Sequence, residues 1–197
     1  MASTAAPNGL TPVDSLSSSG SYSGSRRPIP IASGYATSIF AGDVVMMTTT
    51  GTLVKETATT ALTPIGIFMG CEYTDPNSDQ KIQTNMWTAS VVASDAVAFV
   101  ADDPFLVFRA QGDGAMVQAE LNNNVDLIQT AGSTVNGRSK IALDASSADV
   151  GATLGVRIIG FVDGPDSAVG DAFTDCYCTW TPLTHLYLTA LGTGATT

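Results

Sequence analysis

The sequence predicts a mainly β protein: an antiparallel β-barrel or β-sandwich with one short helix and an extended N-terminal arm. Three observations carry this. From residue 34 onward, short runs rich in Val, Ile, Thr and aromatic residues recur about every ten residues, separated by Gly, Pro, Asn and Asp. One stretch alone, residues 115–121 (AMVQAEL), combines good helix formers with no Gly or Pro, and Asn122-Asn123-Asn124 stops it. Residues 1–33 are too rich in Ser, Gly and Pro to pack a core of their own.

In chain order, the arm comes first. Residues 15–25 are a Ser/Gly tract, and Pro28 and Pro30 hold the path through Ile31 extended. Leu10, Val13, Leu16, Tyr22, Ile29 and Ile31 are spaced as anchors along an extended peptide, and Arg26 and Arg27 are the one basic pair in the chain. The arm is therefore expected to grip a partner while residues 34–197 fold without it. That body reads as one unit or as two subdomains, 34–110 and 111–197. Its strands are expected over residues 43–48, 53–55, 64–73, 80–93, 96–100, 105–109, 139–143, 155–162 and 176–181. No repeat with a period of about 20–50 residues is present.

Composition narrows the function. Charged residues make up 13% of the 197, against a usual share of about 25%. The surface must then be largely Ser, Thr, Asn, Gln and Gly, which costs less to desolvate than charge and suits permanent assembly. The net charge of −10 is uneven: residues 1–40 hold only Asp14, Arg26 and Arg27, and the remaining acidic excess lies beyond them. An acidic body without Lys/Arg clusters argues against nucleic acid as a partner. No apolar run approaches the roughly 18 residues of a membrane span, and the first residues carry no signal-peptide pattern. Three cysteines make no disulfide framework, so synthesis in a reducing cytoplasm is expected.

The catalytic inventory is thin. His185 is the single histidine, and no nucleophile elbow accompanies it: Gly20-Ser21-Tyr22-Ser23-Gly24 has Tyr where the elbow requires Ser. Cys176 and Cys178 share one face of a strand, and with Cys71 and His185 they make the one conceivable zinc set; core packing is the simpler reading. Asn122-x-Asn124-x-Asp126 opens like a calcium loop but has Leu127 and Ser133 where Gly and Glu are needed. Asp102-Asp103-Pro104 reads as a solvated turn rather than a carboxylate pair for sugar chemistry. Neither catalysis, cofactor nor metal is expected. Near the C-terminus, Leu183, Leu186, Tyr187 and Leu188 follow Pro182 and read as an oligomer interface.

Two stretches carry a resemblance. Ile39-Phe40-Ala41-Gly42-Asp43-Val44-Val45, followed after a Thr/Gly turn by Thr63-Pro64-Ile65-Gly66-Ile67-Phe68, resembles the β-barrel or β-tulip decoration (cement) proteins of tailed-phage capsids. Tyr73, a polar turn, residues 81–93 and then Ala98-Phe99-Val100-Ala101-Asp102-Asp103-Pro104 look like virion structural proteins of aquatic phages. The resemblance spans residues 30–185. It implies a non-enzymatic protein on the capsid exterior, assembled in the host cytoplasm and bound across junctions of the major capsid protein. Homotrimers on local three-fold axes, or dimers across two-folds, are the implied assemblies. The alternatives are another virion component (head fibre, minor capsid or tail protein) and a carbohydrate-binding β-sandwich that uses Trp87, Trp180, Tyr73 and Tyr177.

Overall fold

A computed structural model describes residues 3–17, 21–182 and 184–189. Its strands, in chain order, are β1 (Thr11–Ser15), β2 (Arg27–Pro30), β3 (Ile39–Phe40), β4 (Val44–Met47), β5 (Leu53–Lys55), β6 (Gly66–Thr74), β7 (Lys81–Thr84), β8 (Met86–Trp87), β9 (Val97–Ala101), β10 (Leu106–Gln111), β11 (Asn124–Val125), β12 (Leu127–Ile128), β13 (Ala142–Leu143), β14 (Val156–Phe161) and β15 (Asp175–Trp180). The chain is mainly β, as its patterning predicts, with all strand pairs antiparallel.

Two sheets dominate. One has five strands in the order β1-β10-β15-β14-β11. The other runs β2-β9-β6-β4-β5, with β7 also pairing β6. An isolated parallel bridge between Ile31 and Leu53 brings the two ends of this second sheet together, so it curls into a small barrel. Ile29, Ile31, Val45, Leu53, Phe68, Cys71, Ala98 and Val100 fill its interior together with Trp87.

Strand β6 explains how the halves join. Its sequence is nearly continuous in apolar residues, the signature of a strand buried on both faces. Ile67 points to one core, shared with Val44, Ala101 and the five-stranded sheet; Phe68 points into the barrel. Cys71 and Phe68 face the same core despite their odd spacing, because the β6–β9 register slips between Phe68 and Gly70. Gly70 sits at that bulge with φ +140°, where a Cβ would come within 2.8 Å of the Thr84 carbonyl oxygen.

The N-terminal segment departs from the expected free arm. It is extended, but β1 pairs β10 and β2 pairs β9, so it contributes a strand to each sheet. Leu10, Ile29 and Ile31 are buried in the chain's own cores. The anchors expected to engage a partner found their groove inside the molecule, because sheet edges at β9 and β10 lay next to them. The division at residue 110 shifts as well. Strands β2, β4, β5, β6, β7 and β9 build the barrel sheet, β3 and β8 pair separately, and the crossing to the five-stranded sheet, to which β1 also belongs, falls in the turn before β10.

The expected helix over 115–121 reduces to one 3-10 turn, Gln118–Glu120. Met116 is the reason: its side chain is fully buried, and its carbonyl accepts from Gly170 N at 2.8 Å instead of from a helical neighbour. Tertiary packing overrides local propensity here. The Val117 N–H is satisfied by Glu120 Oε2 at 2.8 Å. The long strand expected over 80–93 is broken into β7 and β8 and ends at Trp87.

Candidate interaction surface

The turn between β9 and β10, Asp102-Asp103-Pro104-Phe105, is where separate parts of the chain converge. Asp102 Oδ2 lies 2.9 Å from Arg27 Nε and accepts from the Tyr187 hydroxyl at 2.7 Å. The Arg27 guanidinium also lies 5.3 Å from the centre of the Tyr187 ring. Asp103 Oδ2 accepts from Ser15 Oγ at 2.8 Å, and its Oδ1 accepts from Phe105 N at 2.8 Å. Leu16 N donates to the Phe105 carbonyl at 2.8 Å. Two neighbouring carboxylates thus clasp the start of the chain and its C-terminal segment. Neither is the freely solvated turn acid expected from sequence.

Beyond β15, the described residues 184–189 pack back onto the body. Trp180 is buried against Phe108, with ring centres 5.0 Å apart. His185 is fully buried between Trp180 (6.1 Å) and Tyr187 (5.1 Å). Its Nδ1 accepts from Tyr187 N at 3.3 Å, and Nε2 makes no aligned hydrogen bond among the described residues. Burial pushes the His185 pKa down to about 4 against the opposing pull of the Ile65 backbone, Asp102 and Asp103, with Arg27 adding to the drop. Burial, then the Asp102 hydrogen bond and charge, raise the Tyr187 hydroxyl to about 12, so it stays a donor. Leu186 N donates to the Pro64 carbonyl at 2.8 Å.

Around this clasp the surface is apolar. Leu16 is 58% exposed, Phe105 48%, Tyr187 45% and Leu188 38%. The structure therefore joins the two predicted sets through Arg27 and Tyr187, which meet at Asp102, and seats Leu16 on the same turn through Phe105; Tyr22 and Arg26 precede Arg27 in the chain, and Leu188 follows Tyr187. Val13 is exposed on β1. Leu10, Ile29 and Ile31 are removed from the candidate surface by burial, and Leu186 is half-buried against the barrel core. Leu183 lies outside the described residues. Sequence reasoning did not single out Phe105 as a surface residue; an apolar residue straight after Asp-Asp-Pro at a strand junction was the available signal.

Other candidates separate. Cys71 lies in the barrel core, whereas Cys176 and Cys178 lie in the other core, so the thiols and His185 do not converge. Burial raises Cys71 and Cys176 to about 12 and Cys178 well above its ordinary value. Trp87, Trp180 and Tyr73 are buried, leaving only Tyr177 of the proposed sugar platform on the surface. A feature the sequence reading missed is a buried ion pair: Lys55 Nζ lies 2.9 Å from Asp43 Oδ2, which also accepts from Phe40 N at 3.0 Å. It ties β5 to the turn between β3 and β4, with both side chains buried.

Among the described residues no helix is long and apolar enough to cross a membrane. Comparison with profiles of known families, with characterised proteins and with solved structures finds no match. The arrangement sets exposed apolar side chains beside charged groups that are fixed by the fold.

Proposed function

We propose that this chain is a structural protein that decorates the exterior of a tailed-phage capsid, bound across junctions of the major capsid protein as a homo-oligomer. The observation that carries the reading is the surface around the 102–105 turn, which serves self-association in this assembly and leaves the low-charge remainder of the body to lie across the seams. There a low-charge β body fixes exposed apolar side chains on a rigid clasp drawn from both ends of the fold. Such a protein acts by burying area across seams, and contacts repeated over a shell sum to a large opposition to seam opening. The reading invokes no catalysis, and the single histidine and the three thiols are buried.

The N-terminal segment enters this reading differently from a free arm. Its buried anchors Leu10, Ile29 and Ile31 hold the body, and of the residues expected to grip a partner Val13, Leu16, Tyr22, Arg26 and Arg27 remain at or near the surface. Electron cryomicroscopy of particles carrying this protein tests the proposal. Density of the expected size on the outer shell, over capsomer seams and in symmetric copy number, is the predicted result. Density confined to the tail or portal, or none on the particle, overturns it.

A further inference from the structure

We propose that the surface around the 102–105 turn binds a second copy of this chain across a two-fold axis, with Arg26 of each copy facing Asp14 of the partner subunit. The inference rests on the reading that the chain self-associates, and it names the contact.

Three observations point to a second copy as the occupant. The first is the apolar centre of Leu16, Phe105, Tyr187 and Leu188, each at least about a third exposed although the turn beneath them is rigidly tied. The second is the state of the nearby charges. Arg27 and Asp102 satisfy one another. Arg26 is exposed, rests 5.8 Å from the centre of the Phe99 ring and has no carboxylate partner among the described residues. Asp14 is exposed, accepts only from the N–H of Ser15 and has no cationic partner among them. Short links in the fold keep their segments close. Asp14 bridges Ser21, and the hydroxyl of Tyr22 donates to the Ser25 carbonyl next to Arg26. A partner that completes this rim must offer one acid and one base beside an apolar centre, and a second copy turned through a two-fold offers both.

The third observation is where charge permits contact. Two copies of an acidic chain repel over most of their surfaces. Residues 1–40 supply Asp14, Leu16, Arg26 and Arg27, and with Asp102 and Asp103 of the turn the surface holds three acids and two bases, so like copies approach here with less opposition than the net charge of −10 would impose elsewhere. A patch that carries both halves of its own contact closes on a two-fold and gives dimers; a trimer needs two different patches.

Charge reversal tests this on the full chain, with sedimentation equilibrium as the readout. Wild type is expected to dimerise, Arg26→Glu and Asp14→Arg each to weaken dimerisation roughly tenfold, and the double variant to restore it. Phe105→Ser weakens it with no rescue by the charge pair. Unchanged thermal melting confirms that the variants fold, since both charged residues are exposed. A monomeric wild type, single variants that dimerise normally, or a double variant that fails to recover overturns the proposal. If the single variants lose shell binding in co-sedimentation yet dimerise as wild type, the patch is a shell contact and this inference is wrong. A chain that dimerises as predicted but is found on no particle instead overturns the capsid reading and leaves the dimer standing.

Discussion

Protonation of His185 is the perturbation whose cost follows most directly from the structure. In the unfolded chain the ring titrates near the ordinary value of about 6.5. In the folded protein it is buried between Trp180 and Tyr187, with its pKa lowered to about 4. The folded state therefore binds fewer protons between these values, so stability is fully present above about pH 6.5 and is lost as pH falls toward 4. Integrating the linkage gives a loss of about 2 kcal/mol at pH 5 and about 3 kcal/mol at pH 4. The 18 acidic residues also titrate in part of this range, so the wild-type curve alone does not isolate the histidine. Urea unfolding, followed by tryptophan fluorescence at pH 7.5, 6, 5 and 4, should be compared with His185→Phe, which keeps an aromatic ring of similar size in the site. Wild type should lose about 2 kcal/mol more than the variant between pH 7.5 and 5. Parallel pH profiles for the two proteins would refute the reasoning, because they would mean the ring is either protonated when folded or open to water.

Further outcomes follow from the core and the backbone. Removing residues 1–17 should abolish cooperative thermal unfolding, since it strips β1 from β10 and the fully buried Leu10 from its core; Leu10→Ala alone should cost about 2–5 kcal/mol in chemical denaturation. An intact, equally stable truncated body would restore the free-arm reading. Gly70→Ala should destabilise by about 1–3 kcal/mol, because φ is +140° and the new methyl meets the Thr84 carbonyl at the bulge. Lys55→Met should cost about 3–5 kcal/mol by leaving Asp43 buried and unpaired, and adding Asp43→Asn should recover part of the loss; calorimetry of the two variants checks both statements.

Strand positions were legible because period-two burial and turn residues are local properties: β4, β5, β6, β9, β10, β14 and β15 fall where apolar runs and Gly or Pro breaks place them. Partner choice is not local. Leu10, Ile29 and Ile31 announce themselves as residues that must be buried, but nothing in their spacing says whether the covering surface belongs to the same chain. The edges of β9 and β10 decided it. The same limit hid the clasp. Asp102 and Asp103 look like turn acids until the fold carries Arg27, Ser15 and Tyr187 to them across sequence separations that no window spans. Met116 shows the reverse case, a local helix preference that fails because Gly170 claims the carbonyl the helix would need. What remained exposed after these internal demands were met is the more informative list. Leu16, Phe105, Tyr187 and Leu188 stay in water beside a turn held by two carboxylates, although the fold buried Leu10, Ile29 and Ile31 from the same N-terminal segment. Apolar side chains left outside on a rigid clasp are a reason to look for the partner there, because ordering them has already been accomplished by the fold and their burial by a second surface costs little further conformational entropy.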